Sequence, residues 1–223
     1  DLAKYVKKSQ SNIFFHTDAT QVLGKVEVDL SKVPVDFLSL SAHKMYGPKG
    51  IGACFIRKRE LGLQTKITPL LHGGNQEDGY RSGTLSVHNI VGLGKAAEIA
   101  KVNLKEHQSK LLELESYLVS TLKENFPNIK FNGHPKQRIP GVINFTIPGI
   151  NNELIIRSLK DEFAISTGSA CSINEPSYVL SAIGLNMMEV KNSFRVSLNK
   201  YIDYNEINNF CINFKKTSER FMI

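Results

Sequence analysis

Short apolar runs bounded by polar or glycine-rich clusters mark the first sixty positions. Residues 12 to 17, 35 to 40 and 51 to 57 each have the length and composition of a buried strand. A glycine-punctuated loop follows from 71 to 84. Ile90, Val91, Leu93, Ala97, Leu104, Leu111, Leu114, Leu118 and Leu122 then recur at helical steps. That spacing predicts one long helix from about residue 87 to residue 125, bent near Gly92 or Gly94, bridging two domains and ended by Pro127.

Beyond Pro127 the pattern predicts strands at 129–132, 142–147, 163–167 and 194–198. Helices are predicted at 152–160 and 175–183, the second stopped by Gly184, and Asp203 reads as the N-cap of a last helix. Alternating strands and helices after residue 102 make a small α/β domain.

Composition narrows the class. The chain is 41% hydrophobic and 22% charged, and no apolar run approaches membrane-span length. The net charge of +7 comes from 28 Lys+Arg against 21 Asp+Glu, but the lysines are scattered and form no basic block, so no direct nucleic-acid partner is expected. His16, His88, His107 and His134 lack metal-ligand spacing, and no metal is expected. Three cysteines without a CxxC pair argue against a disulfide framework and fit a reducing compartment, so a cytoplasmic location is the default. Cys54, in an apolar strand, and Cys211, on a helical face with Ile207, Phe210 and Phe214, read as core. Cys171 lies among Gly168, Ser169, Ala170 and Ser172, and is the one cysteine placed to react.

The candidate chemistry begins at Lys44, which closes an apolar run after Ser41 and His43 and precedes a glycine-rich turn. A desolvated amine at such a strand end suits an imine with a carbonyl cofactor. Asp18 ends the preceding strand. In open α/β sheets ligands bind beyond the carboxyl ends of the strands, so both tips are placed to face one molecule. An imine-forming lysine with an acid for a ring nitrogen suggests pyridoxal 5'-phosphate.

At these residues the chain resembles the class V aminotransferases, a group of fold-type I enzymes. The pair HTDATQ (16–21) and SLSAHKMYGPKG (39–50) carries the likeness. HGGNQEDGYRSGT (72–84), STGSACS (166–172), EPSYVL (175–180) and SFRVSL (193–198) narrow it to the cysteine desulfurases, in the family's order. The resemblance implies an α/β fold of the PLP-dependent transferase type I. Residues 1–102 would be the C-terminal part of the large cofactor domain, and 103–223 a small C-terminal α/β domain with the cysteine loop. Family members carry a long stretch before the helix that leads to the Asp18 strand. The 223 residues are therefore expected to be the C-terminal part of an enzyme. The preceding part would supply further phosphate donors, a histidine stacked on the ring and an asparagine near the ring oxygen.

The same resemblance implies the roles. Lys44 would hold the cofactor and act as base, Asp18 would partner the pyridine nitrogen, and Gln21 would donate to the ring oxygen. Ser41 and His43 would bind the phosphate, and Thr84 would reach the phosphate of a partner subunit, implying a homodimer. Arg195 would hold the carboxylate of L-cysteine. Cys171 would take the substrate's sulfur as a persulfide, leaving alanine, for delivery to an acceptor protein in iron–sulfur cluster assembly or in tRNA or DNA thiolation. Only Ser172, Ile173 and Asn174 separate Cys171 from the EPS segment, a short tether that limits its reach or marks a specialised subfamily. Two other readings are a related class V enzyme, such as a selenocysteine lyase or aminotransferase, that does not depend on Cys171, and an inactive dimerising fragment.

Overall fold

The computed structural model describes residues 2–59, 65–167 and 176–221. The chain divides into two units, Asp1–Leu104 and Lys105–Ile223. Among the described residues no helix is long and apolar enough to cross a membrane.

The first unit opens with helix α1 (Leu2–Ser9), followed by strand β1 (His16–Asp18), strand β2 (Phe37–Ser41) and a 3-10 turn (Ala42–Met45). Strand β3 (Gly52–Ile56), a second 3-10 turn (Gln76–Gly79) and helix α2 (Val87–Val102) complete it. The sheet order is β1-β2-β3. β1 runs parallel to β2 with His16 opposite Phe37 and Asp18 opposite Ser39, and β3 is antiparallel to β2 with Cys54 opposite Ser39. Period-two alternation therefore puts Thr17, Leu38, Leu40, Ala53 and Phe55 on one face and His16, Asp18, Ser39, Ser41 and Cys54 on the other. Leu38 packs with Ala3, Ala19 and Val35 into a small core, with Leu40 and Phe55 against it.

β1 is shorter than the apolar run predicts. The Phe15 amide donates to the Asp36 carboxylate at 2.6 Å, so its N–H is committed to a side chain rather than to a ladder. Lys7 pairs with the same carboxylate at 2.6 Å and ties α1 to the start of β2. Arg57 holds the approach to β2 by donating to the carbonyls of Leu30, Val33 and Val35 at 2.6 to 2.9 Å. Cys54 is exposed, which corrects its reading as a core residue. Cys54 pairs with Ser39 and so lies on the sheet face away from the Leu38 core.

The predicted long helix is two helices, α2 and α3 (Leu104–Asn125). The interruption is at Asn103 and not at the glycines. Its amide and its Nδ2 both donate to the Ile99 carbonyl, at 3.1 and 3.0 Å, which ends α2.

In the second unit β4 (Lys130–Phe131), β5 (Val142–Thr146) and β6 (Ser193–Ser197) form an antiparallel sheet in the order β4-β5-β6. Between β5 and β6 come α4 (Asn152–Leu159), α5 (Tyr178–Ala182) and α6 (Met187–Lys191), and α7 (Tyr204–Phe221) follows β6. The leucine stripe of α3 (Leu111, Leu114, Leu118, Leu122) and the α7 face of Ile207, Phe210, Cys211 and Phe214 enclose one core. Each fully buried leucine or phenylalanine there contributes about 1.5–3 kcal/mol over an exposed one. Phe194 lies at its centre, stacked on Phe145 at 5.6 Å and edge-on to Phe214 at 5.0 Å.

Asp203 caps α7 as expected: it accepts from the Glu206 amide at 2.9 Å while Glu206 accepts from the Asp203 amide at 3.0 Å. The predicted strand at 163–167 is not a strand. Only Ser166 bridges, exchanging backbone hydrogen bonds with Arg195. The short α6, absent from the sequence reading, is set by a capping box between Asn186 and Glu189. The predicted helix at 175–183 is described from Tyr178, with Ser177 as its cap; Glu175 lies outside the described residues.

Candidate functional site

Because β1 and β2 are parallel, their carboxyl ends lie side by side, and both carry polar side chains on the same sheet face. Asp18 ends β1 and Ser41 ends β2. The ladder continues one step past Asp18, where the Ala19 amide donates to the Ser39 carbonyl at 2.9 Å. Asp18 is exposed, and its carboxyl is held below the ordinary carboxylate range by the Thr20 hydroxyl, then by the Thr20 amide, which donates to it at 2.9 Å. It is a preformed anion. His16, one of the histidines without metal-ligand spacing, shares this face and places Nε2 3.2 Å from the Ser39 hydroxyl.

Ser41 occupies the N-cap position of the 3-10 turn, yet its hydroxyl caps no amide. It meets His43 Nδ1 at 2.7 Å instead. A hydroxyl and an imidazole already paired at a strand tip form a donor set suited to a phosphate. Lys44 follows in the turn, which closes when the amides of Tyr46 and Gly47 both donate to the Ala42 carbonyl. Tyr46 adopts left-handed backbone geometry at φ 65° to do so. Ala42 and Met45 are buried while Lys44 between them is exposed, so the desolvation expected for this amine is absent in this structure. Its strand ends at Ser41, and the turn directs the lysine outward.

Sequence reasoning missed Lys25. This half-buried lysine has its amine pushed below the ordinary lysine range, first by burial and then by the positive charge of Lys44. Among the described residues it has no acidic partner. No periodic or motif signal marks it; only the fold brings it beside Lys44.

Gln21 is exposed just beyond Asp18. Thr84 is exposed at the end of the 71–84 loop, whose backbone is fixed by the Ser82 hydroxyl donating to the Gly74 carbonyl at 2.6 Å and the Gly83 amide donating to Gln76 Oε1 at 3.0 Å. Arg195 belongs to the second unit, in β6. Its Nη2 donates to the Ser166 hydroxyl at 3.3 Å, while Nε is buried without a hydrogen-bond partner among the described residues. A guanidinium with an unused buried N–H and no acidic partner there can accept an anion. Cys171 lies outside the described residues. Cys211 is buried, and burial pushes its thiol up to about 11. Among the described residues no cluster of His, Cys, Asp or Glu could hold a metal ion.

A cavity of about 1030 Å³ runs along β3, lined by Cys54, Thr65, Pro69, Tyr80 and Leu93 among others. Neither Asp18 nor Lys44 lines it. The site therefore rests on the cluster at the strand tips.

That cluster fits pyridoxal phosphate: an exposed amine, a phosphate-type donor pair and a preformed carboxylate at the ends of parallel strands. Residues 1–210 match the family Aminotransferase class-V, whose members are pyridoxal-phosphate enzymes. The chain is 39% identical over 213 residues to the cysteine desulfurase IscS of Plasmodium falciparum (isolate 3D7), covering 95% of this chain and 38% of that protein. Among solved structures it is similar to a NifS-like protein, with a TM-score of 0.85, 33% identity and coverage of 97% of this chain and 55% of that one. It is also similar to SspA in complex with cysteine, with a TM-score of 0.65, 35% identity and coverage of 89% and 54%. The chain thus spans about half the length of the relatives it matches.

Proposed function

We infer that this chain, which belongs to the class-V aminotransferase family, is part of a cysteine desulfurase that uses pyridoxal phosphate to convert L-cysteine to L-alanine. The observation that carries the reading is the gathering of Asp18, Ser41, His43 and Lys44 at the adjacent carboxyl ends of β1 and β2.

When bound, pyridoxal phosphate supplies a carbonyl for an amine and a ring that takes up the electron pair left by a departing α-proton. Lys44 would hold the cofactor through its amine and would serve as the base that moves the substrate's α-proton. Asp18, kept ionised by Thr20, would keep a proton on the ring nitrogen. Ser41 and His43 would bind the phosphate, and Gln21 would donate to the ring oxygen. Arg195 would pair with the substrate carboxylate, a role supported by its Nε, which has no hydrogen-bond partner among the described residues. Cys171 takes the substrate's sulfur: the C–S bond breaks, an S–S bond forms, and one cysteine plus one thiol become alanine plus a persulfide.

The persulfide goes to a protein acceptor, in iron–sulfur cluster assembly or in tRNA or DNA thiolation. Thr84 would reach the cofactor phosphate of a second copy, which makes the working form a homodimer, and the free thiols of Cys54 and Cys211 accord with the cytoplasm. The test is alanine and sulfide release from L-cysteine by the full-length protein and its Cys171→Ala variant. Sulfur release lost with Cys171 supports the desulfurase; alanine formed at an unchanged rate without Cys171 points to a sister class V activity.

A further inference from the structure

We propose that Gly92 and Ala96 on α2 are positioning residues that seat the turn carrying Lys44, an inference that deepens the proposed function and rests on its assignment of Lys44. Gly92, Ala96 and Ala100 recur every fourth residue and so share one face of α2. Gly92 and Ala96 meet the turn that follows Lys44, and Ala100 lies beside Gly24. A Cβ on Gly92 would lie 2.9 Å from Pro48 Cγ and 3.1 Å from its Cδ. A Cβ on Gly47 would lie 3.0 Å from the Cβ atoms of both Ala96 and Ala42. One on Gly24 would lie 3.4 Å from Ala100 and Met45 Cβ atoms. α2 thus abuts residues on both sides of Lys44, while Lys44 itself stays exposed.

The contact is rigid where it is closest. A pyrrolidine ring cannot rotate away from an added methyl, so Pro48 would move with its turn. Hydrophobic periodicity does not mark this face, because Val87, Val91, Ile99 and Val102 leave α2 apolar on its exposed side as well. Small size marks it.

Gly94 supplies the internal control, since a Cβ there meets nothing within 4 Å. Both glycines lie inside α2, so alanine at either raises helix propensity. Gly92→Ala and Gly94→Ala would be compared in the full-length protein by three readings. These are the melting temperature, the acetylation rate of Lys44 relative to Lys49 in cofactor-free protein, and the pH titration of the visible absorbance with pyridoxal phosphate bound. Gly94→Ala is expected to raise the melting temperature and leave both lysine readings unchanged. Gly92→Ala is expected to change the Lys44 labelling ratio, to shift the absorbance titration, and to slow turnover on the order of tenfold to a hundredfold, as displaced reacting groups do.

If Gly92→Ala matches Gly94→Ala in all three readings, the inference is overturned. Should Gly92→Ala fail to fold, Ala96→Ser carries the same comparison against Gly94→Ala, and lysine readings that match those of Gly94→Ala would overturn the inference. Absence of cofactor on Lys44 in the wild type would overturn the proposed function alone. The labelling ratio would still decide whether α2 positions the lysine.

Discussion

Asp18 lies directly opposite Ser39 across the parallel pair of β1 and β2, and the next residue's amide donates to the Ser39 carbonyl at 2.9 Å. This register puts the Asp18 carboxylate on the same sheet face as Ser41, whose hydroxyl pairs with His43 one residue before Lys44. A slip of one residue would turn Asp18 to the opposite face.

The state of Asp18 depends on Thr20. Thr20→Val removes the hydroxyl that holds the carboxyl low, so the Asp18 titration followed by carbon NMR should move up towards the ordinary carboxylate range. The folded value lies below the unfolded one, so the linked stability is present above the unfolded pKa and lost as pH falls through the folded pKa. Asp18→Asn should leave the fold intact and lower turnover by about 10²–10³-fold, the scale of one preorganised electrostatic contact.

Lys25 gives a dependence at the other end of the pH scale. Its folded pKa is depressed by burial and by Lys44, so the unfolded chain binds more protons between the folded pKa and 10.5. Stability should therefore rise with pH through that window. Lys25→Met should flatten the rise and raise the melting temperature below it, as measured by thermal melts between pH 8 and pH 11.

The thiols should separate by accessibility. Exposed Cys54 should react with maleimide in the folded protein, whereas Cys211, buried and pushed up to about 11, should react only on unfolding. Peptide mapping by mass spectrometry assigns each site. Labelling of Cys211 under native conditions would show that the α7 core opens.

Phe194 anchors the second unit through Phe145 and Phe214. Phe194→Ala should cost about 3–5 kcal/mol in urea denaturation, the range for deleting a buried aromatic ring.

The strand tips were legible because apolar runs ending in Asp18 and in Ser41, His43 and Lys44 are local patterns. The leucine stripe of α3 and the cap at Asp203 were legible for the same reason. Part of what the sequence did not disclose depends on neighbours distant along the chain, whereas the end of α2 and the start of α6 are local. Gly92 looks like a weak point in a helix, yet its smallness answers to Pro48, and the helix ends where Asn103 turns back to Ile99. The exposure of Cys54 follows from its place on the face away from the Leu38 core, which the register of β3 against β2 sets. α6 is too short for periodicity, although its Asn186 and Glu189 spacing is a readable capping signal. Lys25 becomes visible only when folding sets it beside Lys44.

The most direct test of the account is the location of the cofactor attachment. The protein would be incubated with pyridoxal phosphate, reduced with borohydride and digested, and the modified peptide identified by mass spectrometry. The account predicts a pyridoxyl group on Lys44 that is absent from Lys44→Ala. Attachment at another lysine, or equal labelling of Lys44→Ala, would contradict it.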